Sequence, residues 1–177
     1  MPDADYKLIT ERILHIKGKH KIVLFGASDV RCLPITIPVN AAISLAGSGK
    51  KCLLIDMDIK RNAIAKAFEL DEKAGNQFAR PRAYKTHFDN LRIWPGHNFM
   101  HSYKVDFRSL VDAAKGEFDF VLVSDPYLGS NGQQLQITLA SECGFIFTQN
   151  TMEATRLASI MNASKCSLIG NINVAPS

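Results

Sequence analysis

Six short runs of apolar residues, each bounded by polar or turn-forming residues, recur along the chain. Most of them are continuous rather than alternating, which is typical of β-strands that helices cover on both faces. We therefore predict a strand at each run. The runs lie at 21–26, 51–56, 90–95, 118–125, 143–149 and 166–174.

The segments between these runs carry apolar residues at helical spacing, which predicts helices that alternate with the strands. These segments are 35–47, 61–70, 106–116, 131–141 and 151–161. Residues 3–16 predict an amphipathic helix before the first strand, and residues 71–90 predict an irregular surface connection. The alternation indicates one α/β domain over residues 1–177, with a three-layer, doubly wound and mostly parallel sheet.

Charge and cysteine content exclude several classes of function. The 21 Lys and Arg residues exceed the 17 Asp and Glu residues by only four and are scattered, whereas a nucleic-acid-binding surface needs clustered positive charge. The four cysteines are far apart and form no Cys-x-x-Cys pair, so neither a disulfide framework nor a cysteine metal site is indicated. No apolar stretch reaches the length of a membrane span, and we expect a cytoplasmic domain.

Two acidic residues lie at the carboxyl end of the second predicted strand, and in doubly wound sheets ligands bind beyond the carboxyl ends of the strands. The stretch LLIDMDIKR places Asp56 and Asp58 one residue apart, ahead of Lys60 and Arg61. Carboxylates in this position can hold Mg²⁺ through its water ligands or orient a hydroxyl nucleophile. They can equally stabilise the amino end of the next helix, where negative charge is favourable. The spacing alone leaves both interpretations open.

This stretch resembles the Walker A′ motif, Asp-x-Asp-x-Arg/Lys, of the bacterial tyrosine kinases and their deviant Walker relatives. The stretches LRIWPGHN, FRSLVDAAKGEFDFVLVSDP and SLIGNINV resemble later parts of that family in the same order, and the leading helix resembles its first helix. The resemblance covers nearly the whole chain. It implies a P-loop NTPase-like fold of the MinD, ParA and tyrosine-kinase type, and a role in assembling or exporting cell-surface polysaccharide. Active members would use ATP or ADP with Mg²⁺.

The departures from the family pattern fall on the phosphate loop. The stretch FGASDVRCLPITIPVNAA contains no glycine after Gly26 and no lysine. Alignment with the family puts Pro34 at the motif lysine, Ile35 at the hydroxyl residue that meets Mg²⁺, and Arg31 at a glycine position, and only Thr36 stays in register. Proline has no backbone N–H, and bulky residues resist the left-handed conformations that glycine supplies in such a loop.

A second departure follows the fourth predicted strand. Ser124 stands where the family has its metal-orienting acid, and Asp125 is displaced by one residue. Side chains on a strand alternate between faces, so this shift points the carboxylate to the other side of the sheet unless the strand is bulged. Asp125 can instead cap the turn that begins at Pro126.

These departures lead to the hypothesis of a catalytically inactive, tyrosine-kinase-like protein that needs no cofactor. It would act as a cytoplasmic interaction or regulatory module in exopolysaccharide biosynthesis and export. The expected partner is the cytoplasmic part of a membrane polysaccharide co-polymerase or another exopolysaccharide-assembly protein, which would hold the domain peripherally at the inner membrane. No nucleic-acid partner is expected, and homodimer formation is left open.

Two alternatives are retained. One is a MinD- or ParA-like positioning protein that acts through protein contacts. The other is an active Mg-ATP-dependent ATPase or protein tyrosine kinase with an unconventional phosphate loop, in which three groups of residues would carry the chemistry. They are Asp56 and Asp58 for catalysis, Asp56, Asp58 and Asp125 for Mg²⁺, and Thr36, Arg31, Asp58 and Lys60 for the nucleotide.

Overall fold

The strands predicted from the apolar runs are all present in the computed structural model, which describes residues 4–18, 21–70, 83–95, 107–129 and 140–174. The strands are β1 Lys21–Ala27, β2 Cys52–Asp56, β3 Tyr84–Lys85, β4 Leu91–Pro95, β5 Phe120–Asp125, β6 Cys143–Thr148 and β7 Ser167–Asn173. The helices are α1 Ala4–Leu14, α2 Thr36–Gly47, α3 Ala63–Ala67, α4 Phe107–Glu117 and α5 Thr151–Ala163. Most of the helix predicted at 131–141 lies outside the described residues.

The strands form one seven-stranded sheet in the order β3-β4-β2-β5-β1-β6-β7. Every neighbouring pair is parallel except β3 and β4, which are antiparallel. Because β1 lies between β5 and β6, the chain winds outward from the middle of the sheet in both directions. The predicted doubly wound, mostly parallel sheet is confirmed.

Strand β3 corrects the prediction for residues 71–90, which were expected to be irregular throughout. Tyr84 pairs with Ile93, and Lys85 pairs with Arg92, at one edge of the sheet. Two residues are too few to show the alternation of apolar and polar positions by which a strand is predicted. The strand exists because β4 offers it a free edge, and that tertiary partner is invisible to local pattern.

Helices cover both faces of the sheet, which explains why the strands are continuously apolar. On one face, alternate residues of the strands pack against α1 and α2; they include Val23, Phe25, Leu54, Leu122, Phe145 and Phe147. On the other face, the intervening residues pack against α4 and α5; they include Leu24, Ile55, Val121, Val123 and Ile146. The two clusters are the core of the domain, and each large side chain buried in them contributes about 1.5–3 kcal/mol to stability.

None of the described helices is long and apolar enough to cross a membrane. This finding agrees with the hydropathy of the sequence over the same residues.

Strands β6 and β1 pack closely at Gly144. A β-carbon placed on Gly144 would lie 2.5 Å from the backbone oxygen of Leu24, and the register with β7 shifts between Gly144 and Phe145. Backbone atoms in the middle of a sheet cannot move aside as the end of a flexible side chain can. Glycine is therefore required here by the spacing of two strands.

We expect Gly144→Ala to lower the free energy of unfolding by about 1–3 kcal/mol, because the added methyl group overpacks a rigid contact. Gly116→Ala in α4 is the matched control, since a β-carbon there has no neighbour within 4 Å. The control is expected to change stability by no more than about 1 kcal/mol. Urea unfolding followed by the fluorescence of Trp94, the single tryptophan, measures both variants. Equal unfolding free energies for the two would contradict the prediction.

Candidate functional site

The loop from β1 to α2 is organised around Asp29. Its carboxylate accepts hydrogen bonds from the backbone N–H of Arg31 at 2.8 Å and from Nε and Nη2 of the same residue at 3.0 and 2.8 Å. The backbone N–H of Cys32 donates to the Asp29 carbonyl at 2.9 Å. The hydrogen bonds from Arg31 hold the pKa of Asp29 at about 2. Asp29 therefore accepts hydrogen bonds from two successive backbone amides, those of Arg31 and Cys32. Its carboxylate also pairs with the positive charge of Arg31.

The rest of the loop is fixed by apolar packing. Cys32 and Leu33 are buried in the core beneath α1 and α2. The Pro34 carbonyl accepts a hydrogen bond from the Ile37 N–H at 3.1 Å, and the exposed Thr36 begins α2. A phosphate-binding loop must aim several backbone N–H groups at one ligand and add a lysine charge. The groups present here do not fit the phosphates of a nucleotide.

Asp56 supports the amino end of α3. The side chain is 1% exposed, and its two oxygens accept hydrogen bonds from the N–H of Asp58 at 2.9 Å and of Ile64 at 3.1 Å. Burial raises the pKa of Asp56 to about 6, although both hydrogen bonds act in the opposite direction. Both oxygens thus have protein donors, as the helix-stabilising interpretation requires.

Asp58 closes the turn that follows Asp56. This side chain is 2% exposed, forms an ion pair with Nε of Arg61 and accepts a hydrogen bond from the Arg61 N–H at 3.3 Å. Lys60 is exposed, and its Nζ lies 5.6 Å from the centre of the Tyr127 ring. The structure therefore brings Asp56, Asp58 and Lys60 into one short turn at the carboxyl end of β2.

Asp125 lies on a different face from Asp56. In the parallel pairing of β2 and β5, Asp56 is opposite Ser124, and β5 pairs with both of its neighbours without a shift in register. The alternation of side chains places Ser124 on the face of Asp56 and Asp125 on the opposite face. Asp125 accepts a hydrogen bond from the Tyr127 N–H at 3.0 Å, as a turn-capping residue does. In the described ranges, no three His, Cys, Asp or Glu side chains are grouped as metal ligands.

Glu153, in the first turn of α5, is a site residue that the sequence analysis did not identify. Its carboxylate accepts a hydrogen bond from Ser28 Oγ, just after β1, and one from the Gln149 N–H at 3.2 Å. The Asn150 side chain accepts from the Glu153 N–H at 2.9 Å and so caps the helix. The signal was the Asn-x-x-Glu spacing of a capping box, although it does not reveal the bond to Ser28.

Leu128 closes the carboxyl end of β1. Its N–H donates to the Ala27 carbonyl at 2.6 Å, and a β-carbon on Gly26 would lie 2.5 Å from Cδ2 of Leu128. The leucine is buried in the cluster on the α4 and α5 face, so the chain that leaves β5 packs against the end of β1 on that face.

Solved structures with the same fold include tyrosine kinase domains and a cell-division ATPase. The kinase domain of Escherichia coli tyrosine kinase ETK is 14% identical, with a TM-score of 0.71 over 93% of this chain and 71% of that chain. The VpsO kinase domain is 15% identical, with a TM-score of 0.76 over 96% and 92% of the two chains. The septum site-determining protein MinD of Pyrococcus horikoshii, complexed with Mg-ADP, is 17% identical, with a TM-score of 0.65 over 86% and 70%.

No protein-family model matches the sequence, and no curated protein is detectably similar to it. The fold is that of bacterial tyrosine kinase domains and MinD-like P-loop ATPases, as the resemblance implied.

The raised pKa of Asp56 predicts a pH dependence of stability. Its folded pKa of about 6 lies above the ordinary value of 3.8, so the folded state binds this proton more tightly than the unfolded state does. The resulting stabilisation is complete below about pH 4 and is lost as the pH rises through about 6; a two-unit shift corresponds to about 3 kcal/mol.

Asp56→Asn removes the titrating carboxyl group. The free energy of unfolding of this variant should therefore vary less between about pH 4 and pH 7 than that of the parent chain. Urea unfolding at several pH values measures the difference between the two curves. Asp89→Asn, which removes an exposed carboxylate at the opposite edge of the sheet, is the matched control. Parallel curves for the parent chain and Asp56→Asn would show that this carboxylate does not titrate differently on folding.

Proposed function

We propose that this domain neither hydrolyses ATP nor transfers phosphate, and that it acts as an interaction or regulatory module in exopolysaccharide biosynthesis and export. The observation that carries the proposal is the loop around Asp29. Nucleotide phosphates are bound through several N–H donors and positive charges aimed at one place. In this loop the Arg31 and Cys32 amides donate to Asp29, and the exposed Arg31 guanidinium forms an ion pair with the Asp29 carboxylate.

The acids around β2 and β5 support the same proposal. Binding of Mg²⁺ at Asp56 and Asp58 would have to compete with the Ile64 amide and the Arg61 side chain. Asp125, on the other face, would not join them without a rearrangement of β5. The core is intact, and the polar side chains at the ends of β1, β2 and β5 bond to other groups of the protein. This combination is expected of a domain that acts by binding other proteins rather than by catalysis.

The proposed partner is the cytoplasmic part of a membrane polysaccharide co-polymerase or another exopolysaccharide-assembly protein. This part of the proposal rests on the resemblance of the chain to bacterial tyrosine kinases and on a fold shared with their kinase domains. The partner would hold the domain in the cytoplasm, at the inner membrane.

Calorimetric titration with ATP and with ADP, each with Mg²⁺, tests the first half of the proposal. We expect no binding heat at millimolar nucleotide from the parent chain. Micromolar binding that Asp58→Ala abolishes and Asp89→Ala preserves would contradict the proposal, and would favour an active ATPase or kinase with an unconventional phosphate loop. Asp89 is an exposed acid at the opposite edge of the sheet, so it controls for the loss of one carboxylate.

Direct binding to the cytoplasmic segments of the co-polymerase from the same organism tests the second half. The segments are immobilised, and association of the purified domain is measured by interferometry, with the same domain carrying Gly144→Ala as a control for exposed core. Saturable binding of the parent chain is expected. Lack of binding at tens of micromolar domain, together with lack of nucleotide binding, would favour a positioning protein instead.

A further inference from the structure

A small cavity opens at the amino-terminal edge of the sheet, opposite the candidate site. Its volume is about 110 Å³, and it lies where β2 and β4 begin and α4 ends. Six residues line it: Lys51, Asp89, Asn90, Arg92, Glu117 and Phe118. None of them lies in the loops that form the candidate functional site.

The backbone around the cavity is well ordered by hydrogen bonds. The Lys51 N–H donates to the Asp119 carboxylate at 2.9 Å, and the Asp119 N–H donates to the Lys51 carbonyl at 2.8 Å. The Cys52 N–H donates to the Asn90 carbonyl at 2.8 Å, and the Asn90 side chain reaches the Ala46 carbonyl at 3.4 Å. These hydrogen bonds lie where the neighbouring strands β2, β4 and β5 begin, and they hold the backbone around the cavity in place.

Four charged side chains line the cavity, and three of them, Lys51, Asp89 and Glu117, are exposed to solvent. Two are positive, Lys51 and Arg92, and two are negative, Asp89 and Glu117. Within the part of the chain that the structure describes, none of these four side chains forms an ion pair with another residue. Positive and negative side chains that line one cavity and form no ion pair with each other are complementary to a ligand that carries both a positive and a negative charge.

We propose that this cavity binds a small zwitterion of the amino-acid class. Its carboxylate would meet Lys51 and the guanidinium of Arg92, and its ammonium group would meet Glu117 and Asp89. The ammonium end is also favoured by the carboxyl terminus of α4, which carries partial negative charge. A simple anion of the same size would be repelled by the two carboxylates, and a simple cation would be repelled by the two positive groups.

The size of the cavity supports this class of ligand. A water-sized sphere needs roughly 10–15 Å³ by the same measure, so the cavity has room for about seven such spheres. Glycine and alanine, with about five or six non-hydrogen atoms, match that room, whereas a nucleotide is far larger. Phe118 adds an apolar wall beside the charged groups.

Titration of the ¹⁵N-labelled full chain with glycine, followed by amide chemical shifts, tests the proposal. We expect saturable shifts at residues around Asn90 and Phe118, with a dissociation constant in the millimolar range. Acetate and methylammonium, which each carry one of the two charges, are expected to bind at least about tenfold more weakly, since each forfeits one set of ion pairs. Equal affinity for acetate would overturn the assignment to a zwitterion.

Matched variants locate the site. Lys51→Gln is expected to weaken glycine binding at least about tenfold, whereas Lys66→Gln, an exposed lysine on α3, leaves it unchanged. Glu117→Gln and the exposed control Glu11→Gln form a second pair, which keeps the test decisive if one cavity variant folds poorly. Shifts that do not saturate, that lie elsewhere, or that persist in both cavity variants would overturn the proposal.

Discussion

Strand β1 is buried at all seven of its positions and lies between β5 and β6, and the rest of the domain is arranged around it. A parallel strand in this position needs covering on both faces, so α1 and α2 pack on one side and α4 and α5 on the other. The residues that satisfy this requirement are apolar, and most of them lie outside the candidate site, although Cys32, Leu33 and Leu128 belong to both.

The same requirement governs the carboxyl end of β1. A buried strand end leaves polar backbone groups that need partners, because an unmet donor or acceptor away from water is costly. In a nucleotide-binding relative of this fold, the ligand can supply some of those partners. Here the partners belong to the protein. The Leu128 N–H donates to the Ala27 carbonyl, Ser28 Oγ donates to the Glu153 carboxylate, and Asp29 accepts hydrogen bonds from two amides of its own loop.

Local patterns in the sequence predicted most of the fold, because continuous apolar runs between helical segments suffice to indicate a doubly wound sheet. The spacing of Asp56 and Asp58 also located the turn at the end of β2. Its contacts could not be predicted, since bonding to Ile64 depends on where α3 begins. Strand β3 and the bond from Ser28 to Glu153 depend on residues far apart in sequence, and no local pattern contains them.

The burial of Cys32 and Leu33 limits how the β1–α2 loop could be redesigned. Both side chains anchor the β1–α2 loop in the core, so packing fixes the directions in which the backbone amides of that loop point. Substituting lysine for Pro34 would add one charge and leave the loop as it is. A phosphate-binding loop at this position would require glycines, a vacated core position and a replacement for Asp29 at the same time. No single substitution would therefore build one, because the buried side chains and Asp29 have to change together.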